Sequence, residues 1–316
     1  QSASSDIANK IGELNLQYVT DLKVTGTING YDFMVMRNKM LNLHLLDLSE
    51  AKIVANPYEY YTGYSSRDHE LGDYAFYEKK SLVTVKLPKV TRIGSYAFDN
   101  TKLSSVMIQE GCTTIGTSAF YGCNLREITL PESVVRIGTN AFYNNVYLTT
   151  VKFPSHLESI GYSAFGWCES LDNVQLPNSL KTIESSAFYA CLSLSEITIP
   201  SSITSIGGDA FRGCPLKDVY TYTIEPISIS QTVFDGSGNT ATLHIPVVSH
   251  NVYWYDTQWS QFSPNIVDMS EEEVWKYFYL NNDYTLNDQD EVNGFIRSLK
   301  NSGINSVVFT FKDASG

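Results

Sequence analysis

Small and aromatic residues recur along this chain at a nearly constant distance. The dipeptide Ala-Phe occurs seven times at steps of 22 or 23 residues, with its first residue at Ala75, Ala97, Ala119, Ala141, Ala164, Ala187 and Ala210. An aliphatic residue stands four positions before each Ala, and Gly follows it in six of the seven repeats. After each Phe, a polar turn leads to Leu-x-x-Val/Ile-x-Leu, which Pro often closes. A period of this length indicates a repeat architecture.

The repeat predicts the path of each unit. Val-x-Leu alternates with period two, which is typical of a short strand with every second side chain directed inward. Pro ends the strand because it has no N–H for a neighbouring strand, Gly is expected to permit a tight turn, and Phe fills the core. One unit cannot bury its own apolar side, whereas stacked units can. We therefore predict an α/β solenoid, a right-handed coil with one parallel sheet of short strands, an N-terminal cap and an irregular C-terminal cap.

Divergent units precede the regular repeats. Val19 to Val24 and Leu43 to Ile53 keep the spacing of strand residues, and helices are expected over residues 5–12 and 31–40. We assign residues 1–54 to an N-terminal cap with two divergent coils and residues 55–268 to the solenoid. Residues 54–70, which delay the next strand, are interpreted as an inserted loop.

The last part of the chain does not repeat. Trp254, Trp259 and Phe262 follow the last recognisable strand, and large aromatic side chains suit a C-terminal cap. For residues 269–316 the pattern predicts helices at about 270–280 and 288–301 and a strand through residues 307–309. This segment is interpreted as a capping subdomain or as the start of another domain.

The succession of Leu-Pro, Ile-Gly, Ala-Phe and Cys resembles the BspA-like leucine-rich repeats, also called the Treponema pallidum type. The resemblance covers roughly residues 71–246, and Leu43 to Ile53 resembles the cap found in such proteins. It implies an exported, surface-attached bacterial protein, often of Bacteroides-like species, and its members are associated with adhesion to host matrix proteins and other cells. The motifs identify the repeat class and not a ligand.

The charge and apolar content of the chain exclude some classes of binding partner. With 34 acidic and 22 basic residues the net charge is -12, which argues against binding nucleic acid or an anionic membrane through bulk electrostatics. No apolar run reaches the length of a transmembrane segment. The first residues lack a basic-then-apolar signal, so the chain is either cytosolic or has lost that signal. The resemblance favours an extracellular location at the cell surface.

Reactive side chains form no recognisable catalytic or metal-binding set. Four of the five Cys stand three residues after a repeat Phe: Cys123, Cys168, Cys191 and Cys214. Thr101 and Asn145 occupy the same position, and we predict buried free thiols rather than disulfides. The His residues are scattered, no Cys-x-x-Cys pair exists, and Ser163 begins a nucleophile-elbow motif that lacks its second Gly. We therefore expect a non-enzymatic protein with no cofactor and no metal.

Two regions are candidates for binding. Outward positions of the predicted strands are mixed and mostly short, and the candidate ligand contacts among them are Lys86, Met107, Lys152, Gln175 and Tyr220. The inserted loop carries Tyr58, Tyr60, Tyr61 and Tyr64, and tyrosine gives a large contact area at low entropic cost. The structural alternatives are a solvated sheet and rings that cover the core of the cap. A further column, Tyr77, Tyr121, Tyr143 and Tyr189, is interpreted as packing at the outer edge of the coil.

These observations favour a non-catalytic module for adhesion or protein–protein interaction. The expected partner of this monomer is a host extracellular-matrix or cell-surface protein. A glycan-binding surface protein that uses the tyrosines as stacking platforms is one alternative. A structural spacer for a neighbouring domain is the other.

Overall fold

The computed structural model describes residues 6–237, 240–270 and 273–274 as a stack of parallel coils with little helix. The helices are α1 (Asp6–Ile11), α2 (Gly30–Asn38) and α3 (His250–Tyr255), with 3-10 helices at Glu13–Tyr18, Val247–Ser249 and Trp259–Phe262. The strands are β1 (Asp21–Ile28), β2 (Leu45–Ile53), β3 (Asn56–Tyr61), β4 (Tyr64–Ser66), β5 (Glu70–Leu71), β6 (Thr84–Lys86), β7 (Arg92–Ile93), β8 (Ser105–Met107), β9 (Thr114–Ile115), β10 (Glu127–Thr129), β11 (Arg136–Ile137), β12 (Thr150–Lys152), β13 (Ser159–Ile160), β14 (Asn173–Val174), β15 (Thr182–Ile183), β16 (Glu196–Ile199), β17 (Ser205–Ile206), β18 (Asp218–Thr221), β19 (Thr242–Pro246) and β20 (Ile266–Met269). The predicted solenoid of parallel strands is confirmed.

The longer strands stack side by side along one side of the solenoid, which we call the strand face. They form three parallel ladders with the orders β1-β2-β6-β8, β10-β12-β14 and β16-β18-β19-β20. The middle residue of each short strand points inward, so that Val85, Ile128 and Val151 are buried. The residues on either side of it point outward, as the alternation of Val-x-Leu predicts.

A second parallel ladder, which the sequence pattern did not predict, supports the coils from another side. Its strands have two residues each and follow the order β17-β15-β13-β11-β9-β7-β5. Each strand ends at the aliphatic residue of the repeat, from Leu71 to Ile206. This ladder has no break between β5 and β17, unlike the strand face. Two residues are too few for a period-two pattern to be visible in the sequence.

The repeat Phe residues form a continuous stack through the core. From Phe76 to Phe234 neighbouring ring centroids lie 5.1–5.6 Å apart, and all these rings are fully buried. The backbone N–H of Phe142 donates to the carbonyl of Ala164 in the next coil at 2.8 Å, and the other coils repeat this bond. Ala and Phe therefore mark the repeat because each coil is fastened to the next at this dipeptide.

The Gly after each aliphatic residue allows the backbones of neighbouring coils to come close. A Cβ at Gly94 would lie 2.4 Å from the backbone nitrogen of Asp73, and one at Gly207 would lie 2.3 Å from that of Ser185. The expectation that this Gly serves a tight turn is wrong, since none of these glycines has a left-handed φ. Coil-to-coil distance, and not turn geometry, selects Gly here.

Gly207→Ala is expected to lower the free energy of unfolding by about 1–3 kcal/mol, because the added methyl group meets the backbone of Ser185. Gly208→Ala is the matched control, since its methyl group would come no closer than 3.4 Å to Thr232 Oγ1. We expect the control to be neutral or to stabilise by up to about 1 kcal/mol, because alanine restricts the unfolded chain. Equal effects of the two substitutions in urea denaturation would contradict the close-stacking explanation.

The N-terminal cap contains both predicted helices. Asn29 caps α2 by accepting from the backbone N–H of Tyr31, and Asp32 completes a capping box. The interpretation of residues 54–70 as a plain loop is wrong, because β3 and β4 pair there as an antiparallel hairpin whose turn contains Gly63 at φ +79°. Tyrosines on both faces of the hairpin hide its period-two alternation in the sequence.

Aromatic side chains close the other end of the solenoid. Trp259 and Phe262 are fully buried and lie with their ring centroids 5.9 and 5.1 Å from that of Phe234, the last ring of the stack. This confirms their predicted capping role, whereas Trp254 is partly exposed. The helices predicted at about 270–280 and 288–301 and the strand at 307–309 lie outside the described residues, apart from 270 and 273–274. The division into 1–54, 55–268 and 269–316 stays a prediction.

The five cysteines are buried free thiols, as predicted. The Sγ of Cys168 donates to the carbonyl oxygen of Phe142 in the preceding coil at 3.3 Å, and Cys123, Cys191 and Cys214 make the equivalent bond. Asn145 donates through Nδ2 to the Phe120 and Phe142 carbonyls at 2.8 Å. The position therefore requires a small donor that satisfies a buried carbonyl.

Candidate functional site

The strand-face residues proposed from the sequence point outward in one column. Lys86 stands in register with Met107, and Lys152 with Thr129. Lys86, Met107, Lys152 and Gln175 are exposed, and Tyr220 is half-buried. The column runs along the solenoid, so the structure does not bring its two ends together. Its members are candidates for separate contacts along an extended partner.

A groove opens where the strand face is interrupted between β8 and β10. Each strand pairs with its outer neighbour, β8 with β6 and β10 with β12, but the two are not hydrogen-bonded to each other. The groove has a volume of about 450 Å³, which lies within the usual range for ligand pockets. Its lining consists of residues 105–108, 110, 127 and 129–132. The coils of the two strands nevertheless stack at the usual distance, with the rings of Phe98 and Phe120 5.3 Å apart, so the groove lies over the strands and not between them.

The floor of this groove is apolar. Val106 is partly exposed, whereas the equivalent Val85 and Ile128 in the neighbouring coils are buried. Met107, on the same strand, has 45% of its surface exposed. An exposed methionine beside an incompletely covered valine offers a contact for an apolar side chain of a partner.

The margin of the groove is acidic. The carboxylate of Glu110 accepts from the backbone N–H groups of Glu132 and Ser133 at 3.0 and 3.2 Å. Glu132 in turn accepts from the backbone N–H and the hydroxyl of Ser155, and these bonds hold the pKa of Glu132 below its usual range. The side-chain carboxylate of Glu127 has no hydrogen bond or ion pair within the described part of the chain. Its carboxylate is therefore the one in this margin that is free to meet a donor.

Among the hairpin tyrosines, Tyr60 anchors the hairpin to the solenoid. It is 3% exposed, its hydroxyl donates to the Asp73 carbonyl at 2.5 Å, and its ring lies against Gly30 and Gly72. Burial raises the pKa of its hydroxyl. Its environment matches the structural alternative, in which the ring covers the core of the cap.

The other three hairpin tyrosines lie at the surface or partly covered. Tyr58 is 53% exposed and lies 6.0 Å from the ring of Tyr31. Tyr61 and Tyr64 are half-buried, with 6.3 Å between their ring centroids. They are the members of the predicted set that a partner could contact on the hairpin.

Tyr61 is the first ring of a stack that joins the hairpin to the next two coils. Its ring lies 4.6 Å from that of Tyr74, and Tyr74 lies 4.8 Å from Tyr96. The guanidinium of Arg37 covers Tyr61 at 5.0 Å and donates to the carbonyls of Tyr60 and Tyr74. Burial raises the pKa of Tyr74 to about 12. The hairpin is therefore fixed to the solenoid and presents its tyrosines rigidly.

The described residues offer no arrangement typical of catalysis. Ser155, His156 and Glu132 lie together, but the Ser hydroxyl donates directly to Glu132, and both residues approach the same nitrogen, Nδ1 of His156. A catalytic triad needs the acid and the nucleophile on opposite nitrogens of the ring. Within the described ranges, no three His, Cys, Asp or Glu side chains group around a possible metal position.

Two His–Asp pairs lie near the C-terminal cap. His244 Nε2 lies 2.8 Å from Asp218 Oδ1, and its ring stacks on Tyr220 at 4.2 Å. His250 Nδ1 lies 2.8 Å from Asp268 Oδ1. Neither imidazole contacts a Ser, Thr or Cys side chain in the described structure, so these pairs support a structural role.

Sequence reasoning missed two features of the surface that are candidates for binding. The groove was not foreseen, because β8 and β10 fit the same repeat pattern as their paired neighbours. Trp167 was also missed, although it is 38% exposed and has φ +58°. The available signal was a Trp in a repeat column that otherwise holds no aromatic residue: Glu, Asn, Gly, Asn, Ala, Gly and Gly stand at positions 78, 100, 122, 144, 190, 213 and 236.

No helix in the described part of the chain combines the length and the apolar character needed to cross a bilayer.

Known proteins share this repeat. The family described as BspA type leucine rich repeat region matches residues 69–180 and 158–255 with six copies, which is more than half of the chain. A T. pallidum leucine-rich repeat protein of known structure is 28% identical, covering 52% of this chain and 68% of that one, with a TM-score of 0.40.

Further solved structures are more distant in sequence. The pneumococcal vaccine antigen PcpA is 18% identical, with 79% of each chain covered and a TM-score of 0.36. A leucine-rich repeat protein from Bacteroides ovatus ATCC 8483 is 22% identical over 62% of this chain and 76% of that one, with a TM-score of 0.30. Among curated proteins none matches this sequence. The family match, together with the stacked Ala-Phe coils, establishes that this chain belongs to the BspA type leucine-rich repeat family.

Proposed function

We propose that this chain is an exported, non-catalytic binding module of the cell surface that mediates adhesion or protein–protein interaction. Leucine-rich repeat proteins are generally scaffolds for binding other proteins, and this chain belongs to such a family. The main support for this proposal is the groove over β8 and β10 on the strand face. The partner is a host extracellular-matrix or cell-surface protein.

The groove suits an extended segment of a partner protein. Met107 and Val106 provide an apolar floor, and the carboxylate of Glu127 provides a free acceptor at the margin. An apolar side chain of the partner gains affinity when it removes such a floor from water. An apolar residue next to a basic residue would complement this surface. Lys86, Lys152, Gln175 and Tyr220 offer additional contacts along the column.

The hairpin offers a second contact surface through Tyr58, Tyr61 and Tyr64. Tyrosine and tryptophan dominate the binding energy of many interfaces because their rings are large and rigid. Tyr60 is excluded from variants that probe binding, since its removal would disturb the cap. A triple variant of the other three separates recognition from anchoring.

Met107→Glu is expected to weaken partner binding at least about tenfold, because the new charge stands on the apolar floor beside the acidic margin. The measurement is label-free binding of the full chain to a panel of matrix and cell-surface proteins. Asn173→Glu is the matched control: it adds the same charge at another exposed position of the strand face, away from the groove and outside the proposed contacts. We expect the affinity of this control to stay within about twofold of the wild type.

Three outcomes would contradict this assignment. Equal losses in Met107→Glu and Asn173→Glu would mean that an added negative charge weakens binding wherever it stands on the strand face. A loss confined to the variant Tyr58→Ser, Tyr61→Ser, Tyr64→Ser would move the site to the hairpin. A folded chain that binds no panel protein would favour the spacer role. Protease accessibility on intact cells tests export, since only a surface protein is cleaved before lysis.

A further inference from the structure

A second group of aromatic side chains lies on the turns that follow the two-residue strands, apart from the strand face. Tyr121 stacks on Tyr143 with 5.2 Å between centroids, and Trp167 lies 6.1 Å from Tyr189. Tyr162, on the same turns, is 49% exposed. We call these five residues the turn-edge cluster. It extends over four successive coils.

Trp167 is the most unusual member of this cluster. Its φ of +58° is a left-handed conformation, which is a true outlier for a bulky side chain. The same column holds Gly122, Gly213 and Gly236, which adopt this conformation without a Cβ penalty. Glu78, Asn100, Asn144 and Ala190 in this column have φ between +54° and +59°, so the conformation belongs to the repeat. What distinguishes Trp167 is that its large side chain occupies a position that elsewhere holds mostly small residues.

The fold does not require an indole at this position. Phe165 occupies the core of this coil, and the ring of Tyr143 covers Gly166, where a Cβ would lie 3.0 Å from two of its ring atoms. Trp167 lies outside both and leaves 38% of its surface to solvent. The neighbouring coils place Asn144 and Ala190 in this column. Packing alone therefore gives no reason for tryptophan.

The surroundings of the indole are neutral and rich in hydroxyl groups. Burial, together with the nearby hydroxyls of Tyr121, Tyr189 and Tyr162, raises the pKa of Tyr143. A phenol hydroxyl can both donate and accept a hydrogen bond. Asn144, one coil before Trp167, is exposed, and its side-chain amide has no partner within the described residues. Phenol and amide groups around an exposed ring can exchange hydrogen bonds in both directions.

We propose that the turn-edge cluster binds a neutral saccharide. A sugar ring would place its C–H face on the electron-rich face of the Trp167 indole, where the ring quadrupole is negative. Its hydroxyl groups would exchange hydrogen bonds with the Tyr162 and Tyr189 phenols and with the Asn144 amide. The polar tips of these side chains match a saccharide better than the apolar core of a protein interface. This site lies away from the groove and does not depend on the proposed protein partner.

Trp167→Asn is expected to weaken saccharide binding by about tenfold or more, because the stacking surface is lost. Calorimetry and tryptophan fluorescence would measure binding of the full chain to neutral oligosaccharides of glucose, galactose, mannose and N-acetylglucosamine. Asparagine already occupies this column at Asn100 and Asn144, which favours a folded variant. Trp254→Asn is the matched control, since that indole on α3 is similarly exposed at 36%. The control should retain wild-type affinity.

The experiment distinguishes a saccharide site from a protein interface and from a surface without a ligand. Tyr162→Ser serves as a second variant in case Trp167→Asn fails to fold, as judged by circular dichroism, and it should also weaken binding. The proposal is overturned if the folded wild type binds none of these oligosaccharides at millimolar concentration, or if the Trp167 and Trp254 variants lose affinity equally. Loss of protein binding, with no saccharide bound, would instead assign Trp167 to a protein interface. Met107→Glu should weaken binding of the protein partner but leave the saccharide affinity unchanged. Failure of one proposal can therefore be distinguished from failure of the other.

Discussion

Replacing Phe142 by alanine is expected to lower the free energy of unfolding by about 3–5 kcal/mol. Phe142 is fully buried in the middle of the Phe stack, with centroids 5.2 Å from Phe120 and 5.1 Å from Phe165. The substitution removes a buried ring and leaves a cavity that two neighbouring coils share. Because each coil contacts only its neighbours, the lost interface weakens both adjoining units. Chemical denaturation followed by circular dichroism measures the effect.

Tyr147→Ala is the control for this experiment. It removes an aromatic ring of similar size from the same coil, but 55% of that ring is exposed. We expect a change within about 0.5 kcal/mol, as for surface substitutions in general. A loss below about 1 kcal/mol for Phe142→Ala, or equal losses for the two variants, would show that the ring stack is not the main stabilising element.

Raising the pH from 9 to 10.5 is expected to destabilise the protein by roughly 1–2 kcal/mol for each thiol whose pKa is raised by burial. Burial raises the pKa of Cys112 to about 11 and those of Cys123 and Cys168 to about 12, from an ordinary value of 9.0, and also raises that of Cys191. The unfolded chain therefore loses these protons first. The stabilisation is complete below pH 9 and is lost as the pH rises towards the folded values.

Lys79 has the opposite effect on stability as the pH rises. Lys79 is buried, its Nζ donates to the carbonyl of Met40, and burial lowers its pKa to about 8. Between pH 8 and about 10.5 the folded protein has lost the Lys79 proton that the unfolded chain still retains. The contribution of Lys79 to stability therefore increases over this range and offsets the loss from roughly one thiol.

The double variant Cys123→Ser, Cys168→Ser tests the origin of the alkaline loss. Serine keeps a hydroxyl donor for the carbonyls of Phe98 and Phe142 but does not titrate in this range. Between pH 9 and 10.5 the urea midpoint of the variant should fall less than that of the wild type. The difference between the two falls should correspond to the contribution of two thiols. The same pH dependence in both proteins would contradict the assignment to buried thiols.

The repeat was predictable because each of its residues meets the same environment in every coil. Ala-Phe and Val-x-Leu recur at fixed steps, and the core, the strand face and the aromatic cap at Trp259 and Phe262 follow from them. The role of Gly was not predictable in the same way. Turn geometry and close stacking both select Gly, and only the distance from a Gly207 Cβ to the Ser185 backbone distinguishes them.

The candidate sites were less predictable because they are departures from the repeat. Ser105–Met107 and Glu127–Thr129 fit the same pattern as the paired strands, so their separation depends on how whole coils stack. The burial of Tyr60 beside the exposure of Tyr58 depends on the twist of a hairpin that the sequence pattern did not predict. Trp167 differs from its column by residue type, but its exposure and its left-handed φ require coordinates.

The two proposed surfaces, the groove for a protein and the turn-edge cluster for a saccharide, lie on one continuous scaffold. The groove belongs to the strand face, and the turn-edge cluster lies on turns beyond the second ladder. Because the solenoid is continuous between β5 and β17, neither surface needs a conformational change to form. Preorganised surfaces of this kind bind with a small entropic cost.

Hydrogen exchange of the chain, free and saturated with the protein captured from the binding panel, shows whether the groove is the binding site. The adjoining edges of β8 and β10 are not paired with each other, so their amides should exchange readily in the free chain. We predict new protection at residues 105–110 and 127–132 in the complex. Protection confined to the hairpin at residues 56–66, or no protection on the strand face, would contradict the groove as the binding site.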